Sequence, residues 1–157
     1  MNLPGIAEYA DFLPEAWRSR VDYSPEESTW QWRQYGVSVL RRRNPAAPAR
    51  LILIHGAGGH ARALWPIASL VSADLADLAA VDLPLYGSTS VPDPASVTYG
   101  DWLDLVTDFV AAEDDGRPLL LLGASVGGMI AYEVAARTGR ASAVVATCLL
   151  DPGDWRA

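Results

Sequence analysis

Residues 119–136 read LLLLGASVGGMIAYEVAA. Four leucines in succession mark a strand buried on both faces. The small-residue stretch after them, ended by Gly139, marks a helix over 125–137. Between the two, Gly123-Ala124-Ser125-Val126-Gly127 fits G-x-S-x-G in the strand-to-helix setting this motif requires. The spacing has a steric cause. So sharp a turn holds the serine in a strained backbone conformation and lifts its hydroxyl above the sheet. Side chains two residues before and two after would collide there, so Gly123 and Gly127 are required, while Gly128 and Ala131 let the helix approach the sheet. The helix N-terminus also directs backbone N–H groups at a developing oxyanion. Ser125 is therefore the candidate nucleophile, and the Val126 N–H a candidate oxyanion donor.

Working outward, Leu51-Ile52-Leu53-Ile54 repeats the buried-strand pattern and runs into the turn His55-Gly56-Ala57-Gly58-Gly59-His60. A helix is expected over 61–72 and a further strand over 78–81, ending at Asp82. YGDWLDLVTDFVAAED, residues 99–114, places Trp102, Val106, Phe109 and Val110 on one face and Asp101, Asp104 and Asp108 elsewhere, the pattern of an amphipathic helix. A last strand is expected over 143–150. Strands alternating with helices predict an α/β fold, a three-layer α/β/α sandwich around a mostly parallel sheet. Upstream, TWQWRQYGVSVLRRR reads as a hairpin, 29–34 and 37–42, turning at Gly36. Its Arg41-Arg42-Arg43 run reads as a solvated strand end. Residues 1–27 form an N-terminal extension with prolines at 4, 14 and 25, and a short helix over 7–20 broken at Pro14. No linker divides the chain, so residues 1–157 read as one domain.

The glycine turn after the first buried strand supports the same site independently. Its flexibility lets one backbone N–H, that of Ala57, face the N–H of Val126. Two such donors stabilise a tetrahedral intermediate, and loss of one costs about 3 kcal/mol of barrier lowering.

Three motifs, HGAGGH at 55–60, DLPLYGST at 82–89 and GASVGG at 123–128, together resemble the α/β-hydrolase superfamily, in its lipase, esterase and serine-peptidase-like branches. The middle motif is similar to the family's Asp-x-x-x-x-Gly-x-Ser loop, with Tyr86 where histidine is common. The resemblance covers residues 29–151 and implies an α/β-hydrolase fold truncated after about the sixth strand. It also implies Ser125 as nucleophile, with Ala57 and Val126 as the oxyanion hole. The implied reaction is hydrolysis of a small-molecule ester or related acyl substrate through an acyl-enzyme, with no metal and no organic cofactor.

A serine nucleophile needs a base, and the family draws its histidine from a loop after the last strand. The sequence holds only His55 and His60. His55 ends a strand and is expected to bond nearby backbone. His60 begins a helix beside the turn, where it is the one imidazole placed to reach Ser125, although no spacing rule requires it. Asp151 ends the last strand and reads as the start of a turn or, alternatively, as the acid of the site. On this reading the 157 residues hold the N-terminal half of a serine hydrolase and are catalytically incomplete alone.

Two other readings stand beside it. One is a non-catalytic interaction or scaffold fragment, pairing with another chain through the apolar free edge of the last strand. The other is a dinucleotide-binding domain, because Gly56 to Ala61 also fits G-x-G-x-x-A and Asp82 lies where an acid would hold a ribose.

Composition narrows the rest. All 12 basic residues are arginine against 19 acidic ones, and the net charge of −7 offers no field for a nucleic acid. Half of the residues are hydrophobic, enough for a packed core. The longest weakly polar run, 141–150, is too short to span a bilayer, and the N-terminus lacks the pattern of a signal peptide, so a soluble cytoplasmic protein without membrane partners is expected. The single cysteine, Cys148, excludes an internal disulfide and reads as a small buried residue of the last strand.

Overall fold

The fold was analysed in a computed structural model that describes residues 4–148. Its elements are α1 (Ile6–Ala10), α2 (Glu15–Arg18), β1 (Glu26–Trp32), β2 (Tyr35–Arg42), β3 (Ala49–Ile54), α3 (Ala61–Ala68), β4 (Ala76–Val81), α4 (Tyr99–Glu113), β5 (Leu119–Ala124), α5 (Val126–Thr138) and β6 (Ala141–Thr147). The strands form one six-stranded sheet in the order β1-β2-β4-β3-β5-β6. The hairpin β1–β2 joins β4 antiparallel, whereas β4, β3, β5 and β6 run parallel. This is the expected α/β sandwich with a mostly parallel sheet, and the two central strands explain it. Every residue of β4 is buried, as are Leu51 to Ile54 of β3, so both sheet faces need cover.

Alternation along the strands sorts that cover. On one face Val37, Val39, Ile52, Ile54, Val81 and Leu121 pack with Val106 and Phe109 of α4 and with Ile130 and Val134 of α5. On the other, Leu40, Leu53, Leu78 and Ala80 pack with Trp65 of α3 and with Ile6 and Ala10 of α1. The extension is thus part of the second layer, with Pro14 separating α1 from α2. It is anchored by the Trp65 indole N–H on the Asp22 carbonyl (2.9 Å) and by the Asp22 N–H on Ser69 Oγ (3.1 Å).

Four local expectations are corrected. The hairpin turns at Arg33-Gln34, with Arg33 at φ 51°, and Gly36 lies within β2. Glycine is needed there for a different reason, because a Cβ would stand 2.7 Å from Ser90 Oγ. The arginine run is not simply a solvated strand end, although Arg43 is exposed. Arg41 and Arg43 bind the buried carboxylate of Glu113 at 2.7 and 2.9 Å, joined by Arg50 at 3.2 Å. Arg42 instead donates to the Ser69 and Val71 carbonyls after α3, which ends at Ala68 and not near residue 72. A cation there satisfies carbonyls of the turn that follows the helix, where the carbonyl end of the helix dipole also favours positive charge. Finally, β6 ends at Thr147, and Cys148 is exposed with a left-handed backbone, φ 55°. Asp151 and the rest of the expected last strand lie outside the described residues.

Candidate functional site

Ser125 stands between the end of β5 and the first turn of α5, with φ 52° and ψ −123°. A left-handed backbone at a serine costs about 1–3 kcal/mol, so the surroundings must enforce it. They do so from three sides. The Ser125 N–H donates to the Thr147 carbonyl of β6 (2.8 Å), and its own carbonyl accepts from the Gly128 N–H (2.8 Å). A Cβ on Gly123 would lie 2.1 Å from the Gly127 carbonyl oxygen, and one on Gly127 would lie 2.3 Å from that of Ile54. The two glycines therefore do what the spacing predicts: they let α5 start directly over the ends of β5 and β3.

The glycine turn lies against this elbow. A Cβ on Gly56 would be 3.1 Å from the Ser125 Cβ, which puts the turn's backbone in contact with the serine. Ala57, the next residue, is exposed. Among the described residues neither the Ala57 N–H nor the Val126 N–H has a hydrogen-bond acceptor. An incoming oxyanion is the kind of acceptor that such groups lack.

His55 is committed to the fold. Its Nδ1–H donates to the Gly56 carbonyl (2.8 Å), and its Nε2 accepts from the Leu83 N–H (2.9 Å). Both partners require the neutral Nδ1–H tautomer, and burial lowers the imidazole's pKa further below its ordinary value. As expected from the sequence, it bonds nearby backbone. His60, the N-cap residue of α3, is also buried, and its Nε2 is hydrogen-bonded to the Tyr9 hydroxyl at 2.9 Å. Burial lowers its pKa as well, partly opposed by Asp82. Its Nε2 thus faces the N-terminal extension.

Asp82 holds the turn from a second direction. One carboxylate oxygen accepts from the Ala61 N–H (2.6 Å) and the other from the Ser88 N–H (2.8 Å), and Asp82 is buried. Those bonds occupy the group that a ribose would need, which removes the support Asp82 lent to a dinucleotide-binding reading. The loop it organises sends Tyr86 edge-on to His55 and against Trp102 of α4, with centroids 5.4 and 5.7 Å apart. The Trp102 indole N–H closes the row on the Pro84 carbonyl (3.0 Å). Sequence reasoning does not find Tyr9, because its partner His60 lies 51 residues away and α1 carries no motif.

Among the described residues no group of three or more His, Cys, Asp or Glu side chains is placed to hold a metal ion. Nor is any helix among them long and apolar enough to cross a membrane.

Comparison with known proteins agrees with the fold. The model of the alpha/beta hydrolase family matches residues 51–157. No curated protein matches. Among solved structures, a bacterial membrane phospholipase A described as a virulence factor is 28% identical, with a TM-score of 0.69 over 80% of this chain and 40% of that one. A thioesterase domain from the curacin biosynthetic pathway is 24% identical, with a TM-score of 0.66 over 74% and 41%. A soluble variant of monoglyceride lipase from Saccharomyces cerevisiae, bound to a substrate analogue, is 20% identical, with a TM-score of 0.64 over 82% and 45%. The chain spans less than half the length of each.

Proposed function

The chain belongs to the alpha/beta hydrolase family, and from that membership we propose that it carries the nucleophile and oxyanion hole of a serine hydrolase acting on an ester or related acyl substrate. The observation that supports this reading best is the Ser125 backbone, held at φ 52° between a strand and a helix and against the glycine turn. Strain of that kind is retained where it positions a group for chemistry.

In the proposed reaction a base takes the proton from Ser125 Oγ as the oxygen attacks the substrate carbonyl. The resulting oxyanion takes hydrogen bonds from the Ala57 and Val126 N–H groups. Collapse returns the proton to the departing alkoxide and leaves an acyl ester on Ser125. Water, deprotonated by the same base, attacks that ester and releases the acid.

The base is proposed to come from outside these 157 residues. His55 has both ring nitrogens bonded to the fold, and His60 Nε2 is bonded to Tyr9. The thioesterase, phospholipase and lipase names among the similar structures are consistent with acyl substrates as a class. We also propose that the edge of β6 pairs with a further strand, since among the described residues it is the last strand of the sheet on that side.

The test measures p-nitrophenyl butyrate hydrolysis by the 157-residue chain, by its Ser125→Ala variant and by the protein from its native source, whose intact mass is determined alongside. The two short chains are expected to act at the same rate. A native protein heavier than 16.8 kDa is expected to lose at least a thousandfold in rate on Ser125→Ala. Full activity in that variant would overturn the assignment of Ser125. A Ser125-dependent rate in the short chain would overturn the external base and return that role to His60. A native mass of 16.8 kDa without hydrolysis would favour the non-catalytic reading.

A further inference from the structure

We propose that Tyr9 is a positioning residue: through His60 it latches the N-terminal extension onto the glycine turn and fixes the Ala57 N–H in place. The inference rests on the oxyanion role assigned to Ala57 above. The turn spans residues 55–60, and three side chains hold it. His55 ties its first residue to Leu83, and Asp82 ties the residue after it, Ala61, to the same β4 loop. Only the third comes from elsewhere. The Tyr9 hydroxyl meets His60 Nε2 at 2.9 Å, and the two rings pack edge-to-face with centroids 5.3 Å apart.

Between these anchors lie Gly56, Ala57, Gly58 and Gly59, of which Ala57 and Gly58 are exposed and Gly58 has φ 77°. A segment of three glycines and one alanine has little side-chain packing of its own to fix it. Apart from one internal bond, from the Gly59 N–H to the Gly56 carbonyl (3.0 Å), and the contact of Gly56 with Ser125, its geometry is set at its ends. A hydrogen-bond donor to an oxyanion must be placed to within a fraction of an ångström, so a loosened end weakens stabilisation of the transition state more than substrate binding. His60 is buried, and α1 seats Ile6 and Ala10 in the layer that holds Trp65 of α3. The extension is thus rigidly joined to the helix that the turn enters. Tyr9 bears on that junction through its ring and, as its one polar contact with His60, its hydroxyl.

The experiment compares wild type, Tyr9→Phe and a control, Tyr23→Phe, whose hydroxyl only meets the Arg18 carbonyl within the extension (3.0 Å). Backbone 15N relaxation at residues 56–60 and the His60 imidazole 15N shifts are read in the 157-residue chain. Steady-state kinetics are read in the ester-hydrolysing native protein. For Tyr9→Phe the Nε2 resonance is expected to shift, the order parameters of 57–59 to fall, and kcat to drop about tenfold with KM within twofold; the control changes none of these. Unchanged relaxation in Tyr9→Phe overturns the latch. A loosened turn with unchanged kcat overturns the positioning of the Ala57 donor. Failure of the serine reading itself is told apart by Ser125→Ala, which would then retain full activity whatever Tyr9 does.

Discussion

At the scale of a single residue, Ser125 makes a stability prediction that does not depend on any substrate. Its φ of 52° is imposed by neighbours, because Gly123 and Gly127 are packed too closely for the turn to relax. Alanine at this position keeps the Cβ and the strain. Glycine removes the Cβ and adopts the conformation at no steric cost, although it adds freedom to the unfolded chain. With strain of about 1–3 kcal/mol against an entropic loss below about 1, Ser125→Gly is expected to be more stable than Ser125→Ala by about 1 kcal/mol. Urea unfolding of the two variants measures this directly. Equal midpoints would mean that the serine backbone is not strained.

At the scale of elements, what the sequence made legible and what it hid divide by sequence distance. Leu51 to Ile54 and Leu119 to Leu122 identify themselves as central strands because a strand covered on both faces has no polar side to show. The elbow is legible for the same local reason: five consecutive residues contain both the serine and the glycines that accommodate it. The hairpin turn is not legible at Gly36 because that glycine answers to Ser90, 54 residues away. The arginine run hides its role because its acceptor, Glu113, lies some 70 residues downstream. That carboxylate, only 5% exposed, gathers Arg41, Arg43 and Arg50 and so ties β2, β3 and the end of α4 together. Breaking a buried ion pair costs about 3–5 kcal/mol; without Glu113 the buried Arg41 loses its carboxylate and keeps only Ser28, whereas Arg50 retains Asp77 and Asp115. Glu113→Ala is therefore expected to lose about that much stability in urea titration. A loss below 1 kcal/mol would mean that the arginines are in fact solvated.

At the scale of the whole molecule, the two sheet edges differ in a way that bears on assembly. The β1 edge begins with Glu26 and Glu27, charged residues that discourage pairing. The β6 edge, ASAVVAT, carries no charge at all. The apolar surface continues inward. On the face covered elsewhere by α3, Leu120 and Leu122 of β5 are only partly buried, and Val145 beside Leu122 is 50% exposed. The opposite face is covered there by α5, against which Val144 packs. A second copy of the 157-residue chain, approaching edge to edge, would pair the β6 backbone groups that are open among the described residues and bring the two apolar patches side by side. Sedimentation equilibrium is expected to show an average mass rising with concentration above 16.8 kDa toward twice that value. Val145→Lys places a charge in the patch without entering the core, and is expected to return the chain to the monomer mass. If wild type stays monomeric at high concentration, the edge does not pair with itself. If instead both proteins associate alike, the contact lies elsewhere on the surface, for which Phe12, 86% exposed in the extension, is the first residue to change.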